Sequence, residues 1–482
     1  MTLENTFCRR RFLQQTGLGF GTAALAHLLH SEGLLASEST SAATRRETDL
    51  VPKPSHFPAK AKSVIMLLQI GGPSQMDLFD PKPGLQKRHG EKHPDDVESF
   101  QRGSEKDILM ASPFKFRKHG QCGMDFSELL PHMASEADEW CMVRSMLGEN
   151  NNHPQGLRMI NTGKIFSGRP TLGAWVSYAL GTENQNLPGY VVLRDPNGYS
   201  NGGTSLWDNG WLPANYRGVE IQSKGSPVLN LHPTVQLPAG VRENNLDLLA
   251  KLNEERRKLY SDDSRLEARI RNYELAARMQ VAAEELLDLS GETQATRQLY
   301  GLDNQATENY GTRCLMARRM VEAGVRFVLI TAPVTHGNMP WDQHGHLKEN
   351  LSKICGQTDQ PSAALIADLK RRGLLDETIV LWTGEFGRLP TSQRGTGRDH
   401  NRFAFTTMLA GGGFKPGYIH GATDEFGYKS VEDVVTCPDL LGTVLHQLGL
   451  DHTQLSYRHH GRDETLTDYD ASGAEVVNEL LS

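Results

Sequence analysis

Four short apolar runs, most of them stopped by glycine, constrain this chain more than any other feature. Ser63-Val64-Ile65-Met66-Leu67-Leu68-Gln69-Ile70 ends at Gly71-Gly72-Pro73, and Thr378-Ile379-Val380-Leu381-Trp382-Thr383 ends at Gly384. Phe405-Thr406-Thr407-Met408-Leu409-Ala410 ends at Gly411-Gly412-Gly413, and Val325-Arg326-Phe327-Val328-Leu329-Ile330 completes the set. Runs this short, apolar without alternation, read as strands buried on both faces. Between them lie helical patterns. From Gln360 to Arg372 the apolar residues Ala363, Ala364, Ile366, Ala367 and Leu369 share one face, which stops at Gly373. Strands alternating with helices predict an α/β fold: a mainly parallel central sheet with helices on both sides. In such folds the functional groups gather beyond the carboxyl ends of the strands.

Composition narrows the class. The chain has 482 residues, 38% of them hydrophobic, enough for one large α/β domain. The net charge of −7, from 51 basic and 58 acidic residues, gives no electrostatic reason to expect nucleic acid. No uninterrupted apolar run reaches the roughly 18 residues of a transmembrane helix. The six cysteines are scattered without a C-x-x-C pair, which excludes zinc-ribbon and thioredoxin readings and leaves one or two bridges open. From Asn244 to Leu289 the sequence is charged, helical and free of proline; it reads as a solvated helical insertion spanning about 244–300. A final helix is expected around Asp439–Leu445.

The amino terminus has a processing layout. Arg9-Arg10-Arg11-Phe12-Leu13 precedes a Gly/Ala-rich apolar stretch from Thr16 to Ala26. This resembles a twin-arginine signal peptide, with cleavage after Ala26 or Ala36, and predicts export to the periplasm or beyond. Residues 1–36 are therefore read as the signal, 37–60 as a Ser/Pro-rich linker, and 61–482 as the folded domain.

Chemistry-bearing residues fall in four clusters, each after an expected strand or in a glycine-rich loop. They are Gly71-Gly72-Pro73-Ser74-Gln75-Met76-Asp77-Leu78-Phe79-Asp80-Pro81, Asn151-Asn152-His153-Pro154, Trp341-Asp342-Gln343-His344-Gly345-His346, and the pair Gly384-Glu385-Phe386-Gly387-Arg388 with Gly397-Arg398-Asp399-His400-Asn401. Together these strings resemble the bacterial secreted family called domain of unknown function 1501, within the alkaline-phosphatase/sulfatase-like superfamily. The resemblance covers nearly all of the chain from about Lys62.

It implies an alkaline-phosphatase-like α/β/α sandwich and a divalent metal site. The superfamily spacing of an Asp, a His four residues later and a distant His fits Asp342, His346 and His400. The Asp-x-His-Gly string points to His344 instead of His346. Asp77 and Asp399 are further candidate ligands. Zinc, iron, manganese and calcium all stay open. Superfamily counting from Thr162-Gly163 puts His153 where a hydroxyl or thiol nucleophile stands in sulfatases, so His153 is a candidate base, ligand or nucleophile. Ser74, on an expected exposed loop, is the nearest hydroxyl by motif. Gly71 stands where a second metal's Asp is usual, and Glu385-Phe386 replaces an Asp-His pair. Glu385 is a candidate proton carrier, and Arg388 and Arg398 are candidates to neutralise an anion.

The expected activity is hydrolysis of a phosphate or sulfate ester, small or on a polysaccharide, aided by a metal. The alternative is a non-catalytic metal- or polysaccharide-binding protein on the same scaffold, working with an exported partner protein.

Overall fold

The computed structural model describes residues 50–104, 106–223, 240–259, 270, 273–275, 278–279, 286–334 and 339–482. The expected signal segment 1–36, the start of the linker and much of 260–285 in the helical insertion lie outside the described residues. Its first part is the helix α3 (Val241–Leu259).

Nine strands form the main sheet. In chain order they are β1 (Ser63–Leu68), β2 (Trp140–Leu147), β3 (Tyr190–Leu193), β4 (Val219–Glu220), β5 (Phe327–Thr331), β6 (Thr378–Thr383), β7 (Phe405–Ala410), β8 (Tyr418–His420) and β9 (Val435–Thr436). Their spatial order is β8-β2-β7-β6-β1-β5-β3-β4, with β9 also beside β2. All four runs expected from sequence are strands in this sheet. β2, β3, β4, β8 and β9 are additional; Arg144 interrupts the apolar run of β2, and the other four are only two to four residues long.

Alternation along the strands divides the core. Ile65 pairs with Val328 and Val380 in register. These residues, with Leu67, Ile330 and Trp382, face the helices α4 (Glu308–Glu322) and α5 (Leu347–Arg371). Val64, Met66, Leu68, Leu329 and Leu381 face the opposite core, shared with α1 (His153–Thr162), α2 (Leu172–Leu180) and α6 (Cys437–Gln447). The central strands are buried on both sides, as a sheet with helices on both faces requires. The α/β/α layering expected from the alternation is what forms.

One strand runs backwards. β7 is antiparallel to both β6 and β2, while every other strand pair in the sheet is parallel. The chain therefore leaves β6 at the carboxyl edge, makes the excursion 384–404, and re-enters the sheet from that same edge. This keeps Glu385, Arg388, Arg398, Asp399 and His400 together above the sheet. Within the excursion Gly387–Arg388 pairs with His400–Asn401 as a short antiparallel ladder.

Two expectations change. α5 begins at Leu347, well before Gln360, and holds Pro361 in its interior. Proline suits a helix start and in an interior removes a ladder hydrogen bond and crowds the preceding turn; here Leu351, Ile354 and Cys355 of the earlier turns are buried in the core and hold the helix across it. Residues 50–60 of the expected linker are docked on the body: Lys53 N–H donates to the Leu180 carbonyl at 3.0 Å, and His56 and Phe57 N–H donate to Gly449 at 2.8 and 3.2 Å. Irregular, proline-rich chain satisfies its backbone on carbonyls left over at element ends. The five described cysteines are all free.

Candidate metal centre

Four side chains converge at the carboxyl edge: His153, Asp342, His344 and His400. His153 opens α1 after β2, Asp342 and His344 follow β5, and His400 precedes the reversed β7. Asp342 Oδ1 is the common neighbour. It lies 3.3 Å from His153 Nε2, 2.8 Å from His344 Nε2 and 3.2 Å from His400 Nε2. The Nε2 atoms of His344 and His400 are 3.0 Å apart. Four ligand atoms on a tetrahedral ion with bonds of about 2.0–2.1 Å would be separated by about 3.3 Å.

The outer nitrogen of each imidazole is spoken for. His153 Nδ1 is 2.5 Å from Glu385 Oε1, whose carboxylate also accepts the N–H groups of Gly71 at 2.9 Å and Gly72 at 3.3 Å. His400 Nδ1 lies 2.6 Å from the Asn151 carbonyl, which can only accept. His344 Nδ1 lies 2.5 Å from Gln393 Oε1, and the Gln393 amide is oriented by its own donation to the Arg102 carbonyl at 3.1 Å. All three Nδ1 atoms must therefore donate, so in the neutral imidazoles all three Nε2 atoms are acceptors. His153 Nε2 is buried and forms no hydrogen bond. Three lone pairs and a carboxylate oxygen thus point into one space.

That space calls for a cation. Arg388 Nη2, 2.7 Å from Asp342 Oδ1, is the guanidinium beside the carboxylate. Burial opposes the charge of Asp342, but Arg388 and the three imidazoles hold its carboxyl well below the usual carboxylate range. Burial also pulls at His153, yet its contacts with Asp342 and Glu385 outweigh this and raise its pKa. A proton on His153 is thus the electrostatic substitute for a metal. At His400 burial dominates, joined by Arg388 and His153, and the pKa falls to about 4 despite the opposing contact with Asp342. A neutral His400 is ready to be a ligand. Three imidazoles and one carboxylate suit zinc, iron or manganese; calcium, which takes oxygen ligands, fits this donor set poorly.

The other sequence candidates sit elsewhere. His346 is exposed at the start of α5, in left-handed conformation with φ 51°, outside the cluster. Asp77 is fully buried against Arg398, at 2.7 Å from Nε and 3.2 Å from Nη2, and takes a 2.5 Å hydrogen bond from Ser74. Ser74 is thus buried, not on an exposed loop. Asp399 accepts N–H groups of Phe100, Gln101 and His400. None of these carboxylates faces the cluster because backbone and arginine donors have already claimed their oxygens.

The arginines are equally engaged. Beyond Asp77, Arg398 donates to the carbonyls of Met110, Leu389 and Pro390. Arg388 donates to Asp342 and to the carbonyls of Gly71, Gly72, Trp341 and Arg398. Neither has a face left for a substrate anion. Phe386 packs under two imidazoles, with ring centroids 4.8 Å from His153 and 4.7 Å from His400. Gly71 is required where it stands: its φ is +120°, and a Cβ there would come within 2.6 Å of the Asp342 amide nitrogen. No ligand side chain fits at that position.

A polar cavity of about 190 Å³ adjoins Asp342, and Gln343, Asn350 and Lys353 share its wall. Sequence reasoning missed Asn151, Gln393 and Lys353. Asn151 stood in the asparagine pair before His153, but it holds His400 through its backbone carbonyl, which residue type does not signal; Gln393 and Lys353 carry no signal.

The chain belongs to the family described as a protein of unknown function, DUF1501, which it matches over residues 61–481. No curated protein matches it. Among solved structures it is similar to the lipoteichoic acid synthase LtaP from Listeria monocytogenes, at 12% identity and a TM-score of 0.33 over 88% of this chain and 79% of that one. It is similar to the PsFucS1 sulfatase from Pseudoalteromonas sp., at 12% identity and a TM-score of 0.31 over 81% and 68% of the two chains. A protein in the alkaline phosphatase superfamily from Vibrio parahaemolyticus matches at 10% identity and a TM-score of 0.35 over 84% and 71%. Likeness at this level does not bear on activity.

Proposed function

We propose that this chain is an exported metal-dependent hydrolase of phosphate or sulfate esters, with His153, Asp342, His344 and His400 holding one divalent ion. The observation that carries the reading is the convergence of three lone-pair nitrogens and a carboxylate, each imidazole locked from behind by an acceptor. Such outer partners fix tautomer and ring orientation in metal sites. The motif resemblance to alkaline-phosphatase-like proteins supports the ester class, and the arginine cluster before Phe12-Leu13 supports export.

When bound, the ion would supply Lewis-acid activation of water and of an ester oxygen. The chain's own residues orient and insulate. Glu385 holds the His153 Nδ1 proton and is not free to act as a base. Phe386 keeps water from beneath two imidazoles. Arg388 stabilises the Asp342 carboxylate. With Arg388 and Arg398 saturated, Lys353 on the cavity wall, which has no ion-pair partner among the described residues, is the cation that remains for an anionic group. With Ser74 tied to Asp77 and Gly71 in place of a carboxylate, these residues offer no seryl nucleophile and no ligands for a second ion, so water would be the nucleophile.

The test is elemental analysis of the purified protein beside its Asp342→Ala/His400→Ala variant, together with hydrolysis of 4-nitrophenyl phosphate and 4-nitrophenyl sulfate. Metal near one ion per chain in the parent, absent from the variant together with hydrolysis, is expected. Full hydrolysis by the folded variant would sink the proposal. A specific observation favours a second reading, a non-catalytic binding protein: four protein ligands close a tetrahedral ion, whereas a catalytic zinc keeps one position open. Stoichiometric metal with glycan binding and no turnover of any ester would select it.

A further inference from the structure

A strap crosses the His400 side of the metal centre. Its sequence is Glu98-Ser99-Phe100-Gln101-Arg102-Gly103. Glu98 N–H donates to the Tyr428 hydroxyl at 2.9 Å, and its carboxylate accepts from Asn151 Nδ2 at 3.1 Å and from Arg402 Nη2 at 2.9 Å. The N–H groups of Phe100 and Gln101 both donate to Asp399 Oδ2, at 2.8 and 2.7 Å. The other oxygen of that carboxylate takes the His400 N–H at 2.8 Å. Farther along, the Arg102 carbonyl accepts from Gln393 Nε2 at 3.1 Å, and the Gly103 carbonyl from Arg394 N–H at 3.1 Å.

Two of the anchors, Asn151 and Gln393, also hold the imidazoles, and a third, Asp399, adjoins one. Asn151 takes the Nδ1 proton of His400, Gln393 takes that of His344, and Asp399 precedes His400 in the chain. One frame therefore positions both the candidate ligands and the strap. Phe100 rides on it. Its ring stacks on the His400 imidazole, with centroids 5.1 Å apart and planes inclined by 23°. His400 is buried, whereas Phe100 is 45% exposed. A single exposed phenylalanine is ordinary on a protein surface. This one differs in that its backbone is bound by a fully buried carboxylate and its ring covers a candidate ligand.

We propose that Phe100 is a specificity-determining residue of this centre, its exposed ring receiving the ring of an ester whose phosphate or sulfate group reaches the ion. The inference rests on the ester-hydrolase reading and adds the substrate class: oxyanion esters of an alcohol that presents a flat or apolar ring face, aryl or sugar. Aromatic rings pack against such faces with a gain that corresponds to about three- to tenfold in affinity.

The test uses non-hydrolysable probes throughout, with methylene-phosphonate analogues standing for the sugar and glycerol phosphates, and the protein carrying the metal with which it is purified. Phenylphosphonate is compared with methylphosphonate, and benzenesulfonate with methanesulfonate, by titration calorimetry against the parent and Phe100→Ala. The parent is expected to prefer the phenyl member of the pair it binds by about three- to tenfold. Phe100→Ala is expected to lose that preference while keeping the methyl probe within about twofold, and Phe100→Trp to restore it. The methylene-phosphonate analogue of glucose 6-phosphate against that of glycerol 3-phosphate separates the sources: a preference erased by Phe100→Ala supports a sugar ring, and its persistence there or its absence from the parent, with the phenyl preference erased, supports an aryl ring. A phenyl preference that is absent from the parent, or unchanged in Phe100→Ala, overturns the inference while leaving the ester reading intact. Metal-loaded parent that binds no probe of either charge type overturns both.

Discussion

Two charge clusters, one fully buried and one half-buried, lie within the same loops at the carboxyl edge of the sheet, and they are built on opposite principles. At Asp77 the accounts close: two oxygens meet Arg398 and Ser74, and the remaining guanidinium hydrogens reach the carbonyls of Met110, Leu389 and Pro390. At Asp342 they do not. One arginine meets the carboxylate, and three acceptor nitrogens then crowd the same oxygen. A buried polar cluster with donors matched to acceptors is a structural brace. A cluster of acceptors facing one space is a cation site. The distinction depends on counting protons, since both clusters are charged and drawn from the same motifs.

The comparison breaks most readily at the ligands. His400→Ala, which leaves the Asp342–Arg388 pair intact, should reduce metal from about one ion per chain to near zero, measured by elemental analysis, with the circular dichroism of the parent retained. The brace should fail differently. Asp77→Ala strands a buried guanidinium and should lower stability by about 3–5 kcal/mol in denaturant unfolding, with metal per folded chain unchanged. An Asp77→Ala protein that melts like the parent but lacks metal would reverse the two assignments.

Smaller effects sharpen the boundary between them. Glu385→Gln weakens the grip on His153 Nδ1 and should lower metal affinity by about 10- to 100-fold in a competition titration with a chelator. Metal must displace the proton from His153, whose pKa lies above the ordinary imidazole value. Below that pKa, binding should release about one proton from this residue, so affinity falls as the pH drops. The buffer dependence of the calorimetric heat reads this release; heat that ignores buffer ionisation would argue that His153 enters neutral. His346→Ala should change neither metal content nor stability by more than about 0.5 kcal/mol.

How much of this was legible depends on what each residue answers to. The strands were legible because Val64–Leu68, Phe327–Ile330 and Ile379–Trp382 are apolar at every position, and only burial on both faces explains that. Asp342, His344 and His400 were legible as candidates through motif spacing, although the choice between His344 and His346 was not. Two residues separate them, yet His346 turns outward in left-handed conformation to start α5. His153 was singled out at the nucleophile place, and the structure brings it to the same cluster as Asp342. The roles of Glu385, Arg388, Arg398, Asp77 and Asp399 were not legible. A carboxylate that binds a cation and one that braces a loop have the same letter in the sequence.

The sequence by itself determined the layered α/β architecture, the edge of the sheet where polar residues collect, and the family. These follow from local patterns of hydrophobicity and from motifs a few residues long. Only the tertiary structure decided which polar residues face one another. Reversal of β7 brings His400 back over the sheet, the glycine at position 71 lets the Asp342 loop approach within contact distance, and Asn151, Glu385 and Gln393 arrive from three separate loops to fix the imidazole protons. Whether a histidine nitrogen ends as a donor or as a lone pair depends on a partner far away in the chain, and no local pattern records that partner.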